Sequence, residues 1–119
     1  MAKLKYFKDG DVPCLVTQGI KDVLPAEMAF RLLELAYKRS AQYEETSYFQ
    51  VFDIEGNNHT VKVKMSQEQP DIVTEHEISL RISKCNFKGK VYLIESWNGK
   101  TENVTMEDHY ITILLTTEY

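Results

Sequence analysis

Only one stretch of this chain repeats its apolar residues at helical spacing. From Pro25 to about Ala41, the residues Met28, Ala29, Leu32, Leu33, Leu35 and Ala36 fall on one broad face. Glu27, Arg31, Glu34 and Lys38 fill the opposite stripe, a solvated face with Glu27–Arg31 and Glu34–Lys38 as i,i+4 pairs in the favourable order. Pro25 suits the first helical position, where its missing N–H costs nothing, and Glu27 suits the positive end of the helix dipole. Phe30 and Tyr37 lie beside the polar stripe, seven residues apart, and are candidates for a partner contact.

The rest of the chain is patterned with a period of two. "CLVTQGI" (14–20) reads as a short strand that ends at a glycine corner before the helix. "SYFQVFDI" (47–54) sets Tyr48, Gln50, Phe52 and Ile54 on one face against Phe49, Val51 and Asp53, which predicts a central strand covered on both sides. "EGNN" is a turn, and "HTVKVKMS" follows with Val61, Val63 and Met65 inward. "QEQPDIVTEH" breaks the alternation and reads as a loop. "EISLRISK" resumes it, with Ile78, Leu80 and Ile82 inward and Arg81 outward. "NFKGK" reads as a turn around Gly89, "VYLIESW" as a strand, "TMEDHY" as one helical turn, and "YITILLTT" as a last strand with Ile111, Ile113 and Leu115 on one face. One helix and several hairpin-linked strands predict an α+β domain, with one main helix packed on a mostly antiparallel sheet of five or six strands. At 119 residues the chain reads as a single domain over 1–119, residues 1–12 forming a loose arm or an edge strand.

Composition narrows the function classes. A formal charge of -4 gives no global attraction to nucleic acid or to an anionic membrane. No segment approaches the roughly 18 apolar residues that a membrane span needs. "MAKLKYFKDGD" has no apolar run after its lysines, so it does not read as a secretory signal. The two cysteines, Cys14 and Cys85, lack CxxC spacing and read as core thiols in a reducing compartment, which places the protein in the cytoplasm.

The motifs that carry chemistry are thin. Gly19 stands alone in "VTQGIKDVLP", with no GxGxxG and no GK[ST], so the segment reads as a structural corner and not as a phosphate loop. His59, His76 and His109 are far apart, and in "EHE" the neighbours point to opposite faces of a strand. No catalytic, metal or cofactor set emerges. Lys62, Lys64, Arg81 and Lys88, with Lys84 and Lys90 nearby, form a candidate nucleic-acid contact, with Tyr92 and Trp97 available to stack a base. Trp97, just before an "NG" turn, is also a candidate partner contact with Phe30 and Tyr37. Asn103 to Thr105 matches a glycosylation sequon without a secretory context.

The segments "VTQGIKDVLPAEMAFRLLEL", "SYFQVFDI" and "YLIESWNGKTENVTMEDHY" resemble a family of small Gram-positive bacterial proteins called domain of unknown function 960. The likeness covers roughly Cys14 to Tyr119. It departs at Ser47–Phe49, where an acidic, an aromatic and an aliphatic residue are expected, and in the "QEQPDIVTEH" loop. The resemblance implies a cytoplasmic bacterial protein without an assigned activity, and it supplies no catalytic residues.

Three readings stay open. The first is a small interaction or regulatory module without catalysis, whose partner is another protein or a second copy. The second is nucleic-acid binding through a lysine-bearing sheet face. The third is a small-ligand binder or enzyme that uses residues 105–110, where Glu107, Asp108, His109 and Tyr110 cluster.

Overall fold

The computed structural model describes residues 14–43, 46–97 and 109–119. The chain runs β1 (Cys14–Val16), α1 (Gln18–Val23), α2 (Ala26–Gln42), β2 (Phe49–Asn57), β3 (Thr60–Gln67), β4 (Ile72–Ser79), β5 (Lys88–Trp97) and β6 (His109–Leu115). A 3-10 turn (Thr116–Glu118) closes it. The strands form one sheet in the order β1-β6-β5-β2-β3-β4. Four pairings are antiparallel, and the β1–β6 pairing is parallel, so the sheet is mixed. The fold is α+β, with one long helix.

The apolar stripe of α2 decides which face of the sheet is buried. Met28, Leu32, Leu35 and Ala36 join Phe52, Ile54, Val63, Met65, Val91, Leu93, Ile111 and Ile113 in one core cluster. Those strand residues occupy alternate positions, so they share one side of the pleat. Ile20 of α1 belongs to the same cluster. Both described helices therefore lie on one face, and β2 is not covered on both sides as its two apolar faces suggest.

The segment 14–20 is not one strand. The backbone leaves β1 at Val16, and the Thr17 side chain accepts the Ile20 N–H at 3.3 Å, which caps a new helix. A hydroxyl acceptor three residues ahead of a free N–H outweighs the β preference of Thr17 and Ile20. α2 begins one residue later than expected, with Pro25 as its N-cap. Its polar stripe pairs differently as well: Arg31 meets Glu34 at 3.1 Å and donates to the Ser79 carbonyl.

The largest correction is β4. It occupies Ile72–Ser79, inside the segment expected to be a loop, and the β3–β4 turn is only residues 68–71. Its inward positions are Ile72, Thr74, His76 and Ile78, so polar groups at two of them hide the alternation. The strand has already ended where "LRIS" continues the apolar pattern, and Ile82 is 88% exposed rather than inward. Residues 80–87 instead carry the chain across the β2–β3 turn, because β5 must reach the far side of β2. The backbone N–H of Leu80 donates to His59 O, that of Cys85 to Asn58 O, and that of Gly56 to Phe87 O. A Cβ at Gly56 would collide with the Cys85 carbonyl oxygen, so glycine admits this close crossing. The expected turn at "NFKGK" falls partly inside β5, where Gly89 pairs with Ile54.

Candidate functional site

The face of the sheet opposite the helices carries an ordered pattern. Cross-strand register sets its side chains in rows across β5, β2, β3 and β4. One row reads Lys88, Glu55, Lys62, Glu77, and the next reads Lys90, Asp53, Lys64, Glu75. All eight are exposed. Each strand thus contributes a column of one sign, positive, negative, positive, negative. Opposite charges are cross-strand neighbours throughout, without any of them closing to ion-pair distance, so each contributes little to stability. The third row is Tyr92, Val51, Ser66, Val73, and there the face turns apolar.

An aromatic cluster starts in that row, at Tyr92. Phe49 and Tyr92 have ring centroids 4.8 Å apart. Tyr119 stands edge-on to both, at 5.6 Å and 5.5 Å. Leu114, opposite Tyr92, shares this side of the sheet. So does Leu15, which is 55% exposed. Tyr119 reaches the cluster because the 3-10 turn is held in place by Glu118. The Glu118 carboxylate accepts from the Thr17 hydroxyl at 2.6 Å, the Leu115 N–H at 2.9 Å and the Gly19 N–H at 3.3 Å. These donors, Thr17 first, hold its pKa below the usual value. The corner at Gly19 is therefore occupied by the chain's own carboxylate.

A second polar assembly is buried beneath α2. Arg39, in the last turn of α2, donates to Gln50 Oε1 at 2.8 Å, to the Met65 carbonyl at 2.9 Å and to Thr74 Oγ1 at 2.6 Å. Gln50 in turn donates to Gln67 Oε1 at 2.7 Å and to the Ser47 carbonyl at 2.9 Å. Thr74 Oγ1 lies 2.8 Å from His76 Nε2. Since Arg39 donates to the Thr74 oxygen, the Thr74 hydroxyl is free to donate to a neutral imidazole. Burial, then the Arg39 and Lys38 charges, lower the His76 pKa and favour that neutral form. Burial also lowers the pKa of Arg39. The network ties helix to sheet and satisfies its own members, so it reads as structural.

The residues singled out from the sequence separate. Lys62, Lys64 and Lys88 share the helix-free face, but each stands beside carboxylates. Arg81 is not on that face; it lies in the loop after β4. Phe30 is 60% exposed on the helix side, over an apolar groove of about 490 Å³ lined by Cys14, Val16, Leu33 and Ile113. Tyr37 is half-buried against the core. Trp97 ends β5, and its side chain falls outside the described residues, as do Glu107, Asp108, the His109 side chain and the sequon at Asn103. His59 and His76 lie on different elements, with His59 Nδ1 2.9 Å from the Ser83 carbonyl. Among the described residues, no group of three or more His, Cys, Asp or Glu is placed to hold a metal ion. No described helix is long and apolar enough to cross a membrane.

No family model and no curated protein matches this chain. A crystal structure of a protein of unknown function from Enterococcus faecalis has a similar fold, with a TM-score of 0.68. The two share 21% identity, over 98% of this chain and 97% of that one. At that identity the likeness extends to the fold.

Proposed function

We propose that the protein is a small interaction module that docks another protein on the helix-free face of its sheet and performs no chemistry of its own. The observation that carries this reading is the Phe49–Tyr92–Tyr119 cluster on that face, with Tyr119 75% exposed. Aromatic side chains presented on a flat rigid surface give large contact area at little cost in side-chain freedom, and they are enriched at protein interfaces. Phe49 and Tyr92 are held on strands and Tyr119 follows the turn pinned by Glu118, so the surface is preorganised. The reading includes a cytoplasmic location, supported by Cys14 and Cys85 as free thiols. It also includes kinship with the domain of unknown function 960 family, on the three segments quoted above.

The interleaved columns argue against the nucleic-acid reading. A phosphate backbone approaching Lys62, Lys64 and Lys88 meets Asp53, Glu55, Glu75 and Glu77 at the same moment, so the face offers it little net attraction.

Photo-crosslinking inside the producing cell tests the docking reading. A crosslinking side chain replaces Tyr92 on the sheet face, and a control replaces Lys38 on the helix. Discrete adducts from position 92, absent from position 38 and lost when Phe49→Ser is added, are expected. Equal labelling from both positions, or none from position 92, overturns the reading.

A further inference from the structure

The columns of charge on the helix-free face have a symmetry that a second copy of this chain satisfies. Read from β5 to β4 the signs are positive, negative, positive, negative; read in reverse, every sign is exchanged. Place a two-fold axis in the contact plane, parallel to the strands and midway between β2 and β3. The β5 column of one copy then lies over the β4 column of the other, and β2 lies over β3. Every positive column meets a negative one. An axis perpendicular to the strands instead lays each column on itself and opposes like charges throughout.

The apolar row obeys the same operation. Tyr92 of one copy faces Val73 of the other, and Val51 faces Ser66. Val73 is 52% exposed in the single chain, so it has surface left to bury. Packed sheets stand about 10 Å apart, a gap that opposed lysine and carboxylate side chains bridge. A two-fold pairing of this kind is isologous and closes on itself without forming filaments.

We propose that this face pairs with itself in that one orientation. The proposal rests on the docking reading above for the choice of face, engages Tyr92 of its aromatic cluster while Phe49 and Tyr119 stand at the edge of the paired rows, and names the partner as a second copy. The area sets the strength. Four strands about 4.8 Å apart and three rows about 6.8 Å apart cover roughly 400 Å² per copy. That is about half the roughly 800 Å² per partner of a stable interface. The charges are exposed and screened by water, so the gain from each facing pair is modest. The association is therefore weak, concentration-dependent and weakened by salt.

The test uses two variants of the full chain. Lys62→Glu with Lys64→Glu makes the β3 column negative, and Asp53→Lys with Glu55→Lys makes the β2 column positive. Each variant alone opposes like charges across the two-fold axis and is expected to sediment as a monomer at low salt. An equimolar mixture restores opposite charges in every facing column and is expected to dimerise, at least tenfold more tightly than either variant alone. A mixture that stays monomeric overturns the proposal.

Wild-type NMR spectra provide the measurement that needs no variant to fold. Signals of Asp53, Lys64, Val73 and Tyr92 should move with protein concentration at low salt and stay fixed at high salt. Concentration-independent spectra at low salt, or shifts confined to α2, overturn the pairing. The crosslinking experiment separates the two claims. Adducts at a mass other than twice the chain keep the docking reading and, with static spectra, remove the second copy as the partner.

Discussion

At the scale of single residues, two charged groups do work that their place in a periodic pattern conceals. Glu27 belongs by spacing to the wet stripe of α2, yet its carboxylate accepts the N–H groups of Arg81, Ile82 and Ser83 at 2.6, 3.1 and 2.9 Å. These backbone donors, Arg81 first, lower its pKa to about 2 from 4.5. The folded value lies below the unfolded one, so the carboxylate stabilises the fold fully above pH 4.5 and loses that contribution as pH falls toward 2. Glu27→Gln should lower the thermal midpoint at neutral pH, and melting curves should show the gap from wild type closing through that window. Helical periodicity sees only the helix, so a partner loop 54 residues away is invisible to it. Arg39 was more legible. It falls three and four residues after Ala36 and Leu35, on the apolar face, where a cation needs acceptors. Arg39→Met leaves Gln50, the Met65 carbonyl and Thr74 without their donor and should cost about 3 kcal/mol in denaturant unfolding.

At the scale of elements, legibility followed the chemistry of the inward positions. α2, β3 and β6 bury apolar residues at the expected period, and the structure has them where the pattern puts them. β4 does not, because Thr74 faces inward to accept from Arg39 and His76 faces inward against the Thr74 hydroxyl, and a polar inward residue looks like a loop signal. The crossing of residues 80–87 over the β2–β3 turn was equally hidden. Nothing local marks it except Gly56, whose small size is needed against a neighbour 29 residues away in sequence. Two glycine substitutions separate backbone from side-chain crowding. At Gly56→Ala the obstacle is the Cys85 backbone, and unfolding stability should drop by about 1–3 kcal/mol. At Gly19→Ala the obstacle is the Glu118 carboxylate, 2.7 Å from the added Cβ and on a flexible side chain. That variant should lose less than Gly56→Ala in the same denaturant titration, while hydrogen exchange at Leu115 quickens.

At the scale of the whole molecule, the two faces of one sheet have separate tasks. The helix face builds the core, and the opposite face carries ordered charge beside exposed aromatics, where function is proposed. The α+β class and a count of five or six strands were readable from periods, and the described residues hold six, but the columns of charge were not readable, because sign order across strands depends on register and strand order. Lys62 and Lys88 looked like one basic patch in sequence; pairing with Glu55 on either side turns them into alternating stripes. The parallel pairing of β1 with β6 has a mechanical meaning. The chain enters β1 at Cys14 and leaves β6 at Leu115, at opposite ends of two strands that run the same way. Tension applied through residues 14 and 119 loads the hydrogen bonds of that pair together, in shear. Tension applied at the open end of the β2–β3 hairpin, through Val51 and Ser66, opens its ladder one bond at a time, like a zip. Single-molecule pulling through the first pair of points should meet a higher rupture force than pulling through Val51 and Ser66. The shortest strand in the sheet thus acts as its clasp against stretching.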